Sequence, residues 1–305
     1  MRILLGHPMS DLQTGHYIKR GFENLGHEIV GIHDSFVEHP NLFLSMAKEL
    51  KPDLIFTAKV NNYNHIAHEL RKQALLFFWS YDVRDDIDIW LQDTGPLYKE
   101  AHFFFTIGQS DVYKYRKMSL SNCLWLPEGI DSHVVNRPEM LNYKDHFNYD
   151  CDVSFAGSAG VVHDGGKRRD LLTLLQNRTD FTFNHVNGVI NEEHNKLVNC
   201  SKVNIGNSGW PNVELSMSAR DYRIMGAGGF LLTNHVNGIE DWFEIGKMCD
   251  IYNSPEECVE KIKYYLDHEE LRKEIADYAM KIVQEKHKFS DRLQTVIDIA
   301  ERYNG

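Results

Sequence analysis

The sequence has no run of about 18 apolar residues, the length that a membrane-spanning helix needs. Its opening "MRILLGHP" is too short an apolar stretch for the centre of a signal peptide, so the expectation is a soluble, cytoplasmic chain with no transmembrane segment. Cysteine is sparse. Cys123, Cys151, Cys200, Cys249 and Cys258 are odd in number, scattered and never spaced as CxxC, which signals neither a disulfide framework nor a zinc site. Reduced, structural thiols and no metal are expected. Positive charge is also short, with 33 Lys and Arg against 44 Asp and Glu and a net charge of −11. Affinity for nucleic acid rests on cations that neutralise phosphates, so this balance disfavours a broad nucleic-acid surface while leaving room for one small phosphate ligand in one basic pocket.

What is present is ample apolar material, 42% of 305 residues, in a chain long enough for two domains of about 150 residues each. Short apolar runs alternate with helical patterns from the first residue: "RILLG", "HEIVGI", "PDLIFTAK", "ALLFFWSY", "HFFFTIG" and "NCLWLP" are separated by amphipathic stretches. After a polar, turn-rich segment at Pro127–Asp150 the alternation begins again with "DVSFAGS", "FTFNHV", "KVNIGN", "GFLLTN" and "CDIYN". Parallel strands need crossover helices, so this order predicts an α/β protein of two Rossmann-like domains whose parallel sheets face a central cleft. The boundaries read as residues 1–145, residues 146–288, and a last helix at 289–305 that packs back toward the first domain.

Two stretches of the second half carry the chemistry. "SARDYRIMGAGGFLLTN" reads as a short helix begun by a capping box of Ser218 and Asp221 and ended at Gly228 and Gly229. Arg220 falls in its first turn, where the helix dipole disfavours a cation, which points either to an anionic partner or to a salt bridge with Asp221. "FAGSAGVVHDGGKRRDLL" places Gly157, Ser158 and Gly160 after a strand, and Gly165 and Gly166 before a helix that starts Lys167-Arg168-Arg169. Glycines let backbone N–H groups approach phosphate oxygens, and a helix N-terminus adds its positive end, although neither full phosphate fingerprint is present. The repeat "NHVNG" follows two predicted strands, where ligands bind in open α/β sheets, and is otherwise a coincidence of composition.

These stretches, with "LPEGID" and the run from "GIEDWFEIGKMCDIYNSPEECVEKIKYYLDH" onward, resemble the GT-B glycosyltransferases, particularly the spore-maturation CgeB-like group. The likeness covers nearly all of the second half and more loosely the first. It implies that the second domain holds a nucleoside diphosphate sugar, UDP-sugar foremost, and that the first domain takes an acceptor hydroxyl of a saccharide, protein or modified base. Gly157, Ser158, Arg169, Val186, Asn207, Ser218, Arg220 and Arg223 are the implied donor-binding residues, and the glycines after the short helix would bring the next strand close to the ligand. At one position the chain departs from the pattern. Relatives carry a glutamate that bonds the ribose where this chain has Arg223, and arginine cannot accept a hydrogen bond. Either Asp221 or Glu214 takes the ribose, or the donor or activity has changed.

In the first half, "FFWSYDVRDDIDIW" sets Asp82 and Asp85 just past a strand, where a carboxylate can act as general base or simply cap a helix. Asp82 is the base expected of an inverting transfer. "GHPMSDLQTGH" adds Asp11, Thr14, Gly15 and His16 as further candidates. Asp86-Ile87-Asp88 has the form of a metal-binding DxD, a motif that GT-B enzymes do not need. The resulting expectation is metal-independent transfer of a sugar from a nucleoside diphosphate to a hydroxyl. A nucleotide-sugar epimerase and a degenerate nucleotide- or sugar-binding protein are the alternatives.

Overall fold

The computed structural model describes residues 1–9, 14–31, 38–58, 60–81, 83, 95–160 and 167–304. All eleven strands expected from the apolar runs are present, and every pairing between them is parallel. The α/β reading with two parallel sheets is borne out. By contacts the chain divides into two compact units, Met1–Pro127 with Phe289–Gly305, and Glu128–Lys288.

The first unit is built on six strands: β1 (Arg2–Gly6), β2 (Glu28–Gly31), β3 (Leu54–Ala58), β4 (Leu75–Ser80), β5 (Phe103–Thr106) and β6 (Cys123–Trp125), in the order β2-β1-β3-β4-β5-β6. Every residue of β3 and β4 is buried. That explains why "LLFFWS" shows no polar alternation: a strand covered by helices on both faces has no solvent side. Chain direction across the sheet reverses at β1, which pairs with β2 on one side and β3 on the other. Helix Gly15–Asn24 buries Tyr17, Ile18, Gly21 and Phe22, and helix Phe289–Asn304 buries Phe289, Leu293, Val296, Ile297 and Ala300, each set on one helical face. The two helices meet where Gly21 has no side chain, since a Cβ there would lie 2.5 Å from Leu293 Cδ1. Tyr17 stacks on Phe289 beside that point.

The second unit carries β7 (Cys151–Ala156), β8 (Phe183–Val186), β9 (Ser201–Ile205), β10 (Leu231–Asn234) and β11 (Asp250–Tyr252), in the order β11-β10-β9-β7-β8. From β7 the chain moves outward to β8 and then crosses back to β9 on the other side, so the reversal lies between β7 and β9. Buried Ser154 donates to Asn204 across these two strands at 2.9 Å. The segment 128–145, assigned to the first half by the sequence reading, bonds within this second unit. The Ile130 amide donates to His287 O at 2.9 Å, and Gln284 Nε2 donates to Val135 O at 2.8 Å. Its polar composition does not announce a side; its backbone groups find partners on the helices of the second unit. Among the described residues no helix is long and apolar enough to cross a membrane.

Candidate functional site

In open parallel sheets a ligand crevice forms outside the carboxyl ends of the strands where chain direction reverses. In the second unit those ends are Ala156 on β7 and the residues just beyond Ile205 on β9. Arg220, from the first turn of helix Ala219–Gly226, reaches both: its Nε donates to Ala156 O at 2.5 Å and its Nη1 to Asn207 O at 3.3 Å. Its guanidinium lies over the Phe155 ring, 4.4 Å from the centroid. Gly157, with φ of +136°, is where only glycine fits, because a Cβ there would strike the Arg220 guanidinium. Burial, reinforced by Arg168 close by, lowers the Arg220 pKa to about 10. No carboxylate among the described residues lies within ion-pair distance of it, although Asp221 is its neighbour in sequence.

The second arginine of the site is Arg168, buried, with Nη2 on Asn207 O at 2.6 Å, Nε on Asn207 Oδ1 at 3.0 Å and Nη1 on Ser158 O at 3.4 Å. Arg169, the residue named from sequence, is exposed on the same helix. A signal for the difference was available. Helix Lys167–Gln176 buries Arg168, Leu171, Leu172 and Leu175, so Arg168 shares the apolar phase and Arg169 does not. Asn207 is the hub: its carbonyl serves both arginines, and its Nδ2 donates to the Tyr252 hydroxyl at 3.1 Å. A pocket of about 380 Å³ opens beside it, lined by Asn207, Ser208, Asn234, His235, Tyr252 and Lys167 among others.

The start of helix Ala219–Gly226 differs from the capping box. Ser218 Oγ accepts the Arg220 amide at 3.3 Å, but the Ser218 amide goes to Ser208 Oγ at 3.0 Å. Asp221 is wholly buried and accepts from Ser208 and Thr233, both at 3.4 Å. Burial pushes its carboxyl up to about 6 against the pull of Arg220. Turned inward, Asp221 is not placed to receive a ribose; Glu214 is partly exposed beside Gly238. Arg223, partly exposed, lies one turn beyond Arg220. Both arginines act on buried His194, whose pKa falls to about 3, mainly through burial. Gly228 and Gly229 do not approach this site. They precede β10 at its amino end, where Gly228 receives Arg137 and Gly229 receives Val198 and Asn204.

Ser158 is exposed, with its Oγ accepting the Gly160 amide at 3.1 Å, and Val186 O accepts the Gly157 amide at 2.8 Å. His16 is exposed on helix Gly15–Asn24. Asp11, Asp82, Asp85, the DxD stretch, Gly165 and Gly166 lie outside the described residues. Sequence reasoning passed over His7, which directly follows β1 at the reversal point of the first sheet. It is buried, stacks on Phe56 with centroids 5.1 Å apart, and its Nε2 lies 3.3 Å from the Tyr81 hydroxyl. Burial lowers its pKa to about 3, so the ring is neutral.

The family described as "Glycosyl transferase-like" matches residues 146–298, half of the chain. The chain belongs to this family. No curated protein matches it. Solved structures similar to this glycosyl transferase-like chain show the same GT-B fold at low identity. HepE of Anabaena in complex with UDP and glucose is 9% identical, with a TM-score of 0.71 over 99% of this chain and 100% of that one. An alpha-glucosyltransferase in complex with UDP-glucose and DNA containing an abasic site is 12% identical, with a TM-score of 0.68 over 99% of both chains. Sucrose-phosphate synthase from Thermosynechococcus elongatus is 12% identical, with a TM-score of 0.66 over 100% and 99%.

Proposed function

We propose that this glycosyl transferase-like protein moves a hexose from a UDP-sugar to an acceptor hydroxyl in the cytoplasm, without a catalytic metal, and that it falls in the CgeB-like group. The observation that carries the reading is Arg220, a partly buried guanidinium with no carboxylate partner among the described residues, held by two strand-end carbonyls at the reversal point of the second sheet. A cation fixed in that way suits the diphosphate leaving group, on which negative charge develops as the glycosidic bond breaks. The positive end of the dipole of helix Ala219–Gly226 adds potential of the same sign. The UDP and UDP-glucose complexes of the fold relatives favour uridine as the nucleoside. Asp82, Asp11 and His16 remain the proposed groups on the acceptor side, with a saccharide, a protein or a modified base as acceptor.

A panel of nucleotide sugars tests this, scored together by thermal shift and by release of nucleoside diphosphate with and without added acceptors in the presence of EDTA. Stabilisation by UDP and turnover of one UDP-sugar are expected. Binding without turnover of any donor would favour a degenerate nucleotide-binding protein, and conversion of the donor with no acceptor present would favour an epimerase.

A further inference from the structure

Parallel pairing of β7 with β9 sets Cys151 opposite Ser201. The residues immediately before them, Asp150 and Cys200, are thereby brought side by side at the amino end of the sheet, though far apart in the chain. Cys200 closes helix Asn191–Cys200, and Asp150 follows helix Tyr143–Tyr149, on which His146 lies one turn earlier. His146 Nδ1 is 2.9 Å from Asp150 Oδ1, and the ligand atoms of His146, Asp150 and Cys200 all fall within 4.8 Å of one another. The two helices that supply them are tied independently. The Tyr149 hydroxyl donates to Glu193 at 2.6 Å, and Lys196 approaches Asp145 at 3.6 Å.

We propose that His146, Asp150 and Cys200 form a binding site for one divalent transition-metal ion, with zinc as the ion they suit best. Imidazole, carboxylate and thiolate are the three protein donors that zinc takes, usually in a tetrahedron. Tetrahedral bonds of about 2.0–2.3 Å put ligand atoms about 3.3–3.7 Å apart. His146 and Asp150 therefore separate by about half an ångström on binding, which two exposed side chains achieve by rotation. Their solvent side leaves the fourth position to water. As the sulfur–metal bond forms, the Cys200 thiol releases its proton to solvent, and thiolate and carboxylate together balance the 2+ charge. The site lies at the end of β7 opposite Arg220, so the ion clips two helices to the sheet and takes no part in chemistry at the strand carboxyl ends.

Chelator-treated full-length protein titrated with Co2+ and then Zn2+ tests the assignment. One equivalent of Co2+ should give the ligand-field bands of a four-coordinate ion and a thiolate-to-cobalt charge-transfer band, both abolished by Zn2+, and Zn2+ should raise the melting temperature. Cys200→Ser should remove the charge-transfer band and Cys151→Ser should keep it. His146→Ala and Asp150→Ala should each weaken Zn2+ by at least about tenfold, a scale that even outer-shell changes reach at metal sites. His146 is exposed, so that variant should remain folded. Absence of stoichiometric uptake by the folded protein would overturn the proposal. So would uptake with the same affinity in the His146→Ala and Cys200→Ser variants, or a charge-transfer band lost with Cys151→Ser instead.

Discussion

Arg168 and Arg220 converge on one acceptor, the backbone carbonyl of Asn207, at 2.6 Å and 3.3 Å. The two cations come from helices that follow different strands, and each also reaches a carbonyl at the end of β7 or just beyond it. Like charges gathered in this way raise the local positive potential and favour an anion. Arg220→Ala is therefore expected to weaken UDP binding by about 1.5–3 kcal/mol, the scale of a charge-assisted hydrogen bond. Arg169→Ala, on the exposed side of its helix, serves as the control with affinity unchanged. Calorimetric titration of the folded variants checks both, and an unaltered affinity in Arg220→Ala would remove that residue from the phosphate site.

Gly157 tests the same geometry from the other side. Its φ of +136° is strained for any L side chain, and a Cβ would displace the Arg220 guanidinium. Gly157→Ala should cost about 1–3 kcal/mol in urea unfolding and also weaken UDP binding. Loss of stability with full retention of affinity would show that Arg220 is not the group through which glycine matters.

Asp221 predicts a pH dependence. Its carboxyl is raised from 3.8 to about 6 by burial, so between those values the folded protein holds more protons than the unfolded chain. Stability is then lost as pH rises through that window, by up to about 3 kcal/mol at the top of it. Asn has no charge to bury. The stability of Asp221→Asn relative to the wild type should rise from about pH 4 to about pH 6 and level off above. Parallel pH profiles in urea denaturation would count against this account.

Arg223, at the position where the resemblance implies a ribose-binding glutamate, lies one turn from Arg220 and acts on His194. If it serves the anion that Arg220 serves, Arg223→Glu puts a carboxylate against that anion. Donor affinity should fall, and fall further at low salt than at high salt, because screening weakens the repulsion. Tighter binding in the variant at both salt concentrations would point instead to a restored ribose contact.

The strands were legible in the sequence because strands covered on both faces carry apolar runs without polar alternation, as in "LLFFWS", and glycine and polar turns separate them. The site was legible in part. Arg220 stood out as a cation at the wrong end of a helix dipole, and Gly157 as a glycine directly after a strand. Arg168 was hidden beside Arg169 because composition does not distinguish consecutive arginines; helical phase does. Asp221 matched a cap by spacing, whereas its carboxylate is drawn inward by Ser208 and Thr233, residues that only the sheet brings near. His7 carried no local signal, since its meaning comes from β1 being the strand at which the first sheet reverses. The closeness of His146, Asp150 and Cys200 depends on strand register, which spacing along the chain does not encode.

The return of helix Phe289–Asn304 to helix Gly15–Asn24 has a consequence for synthesis. On the ribosome the residues of the second unit emerge as one uninterrupted stretch and can complete their own core as soon as they are free. The first unit begins earlier and finishes later: Trp79 and Tyr17 wait for Phe289, and the notch at Gly21 stays unfilled until Leu293 has been made. Until then a nascent chain leaves Tyr17 and the notch at Gly21 of helix Gly15–Asn24 open to water, an interval in which a chaperone has something to hold.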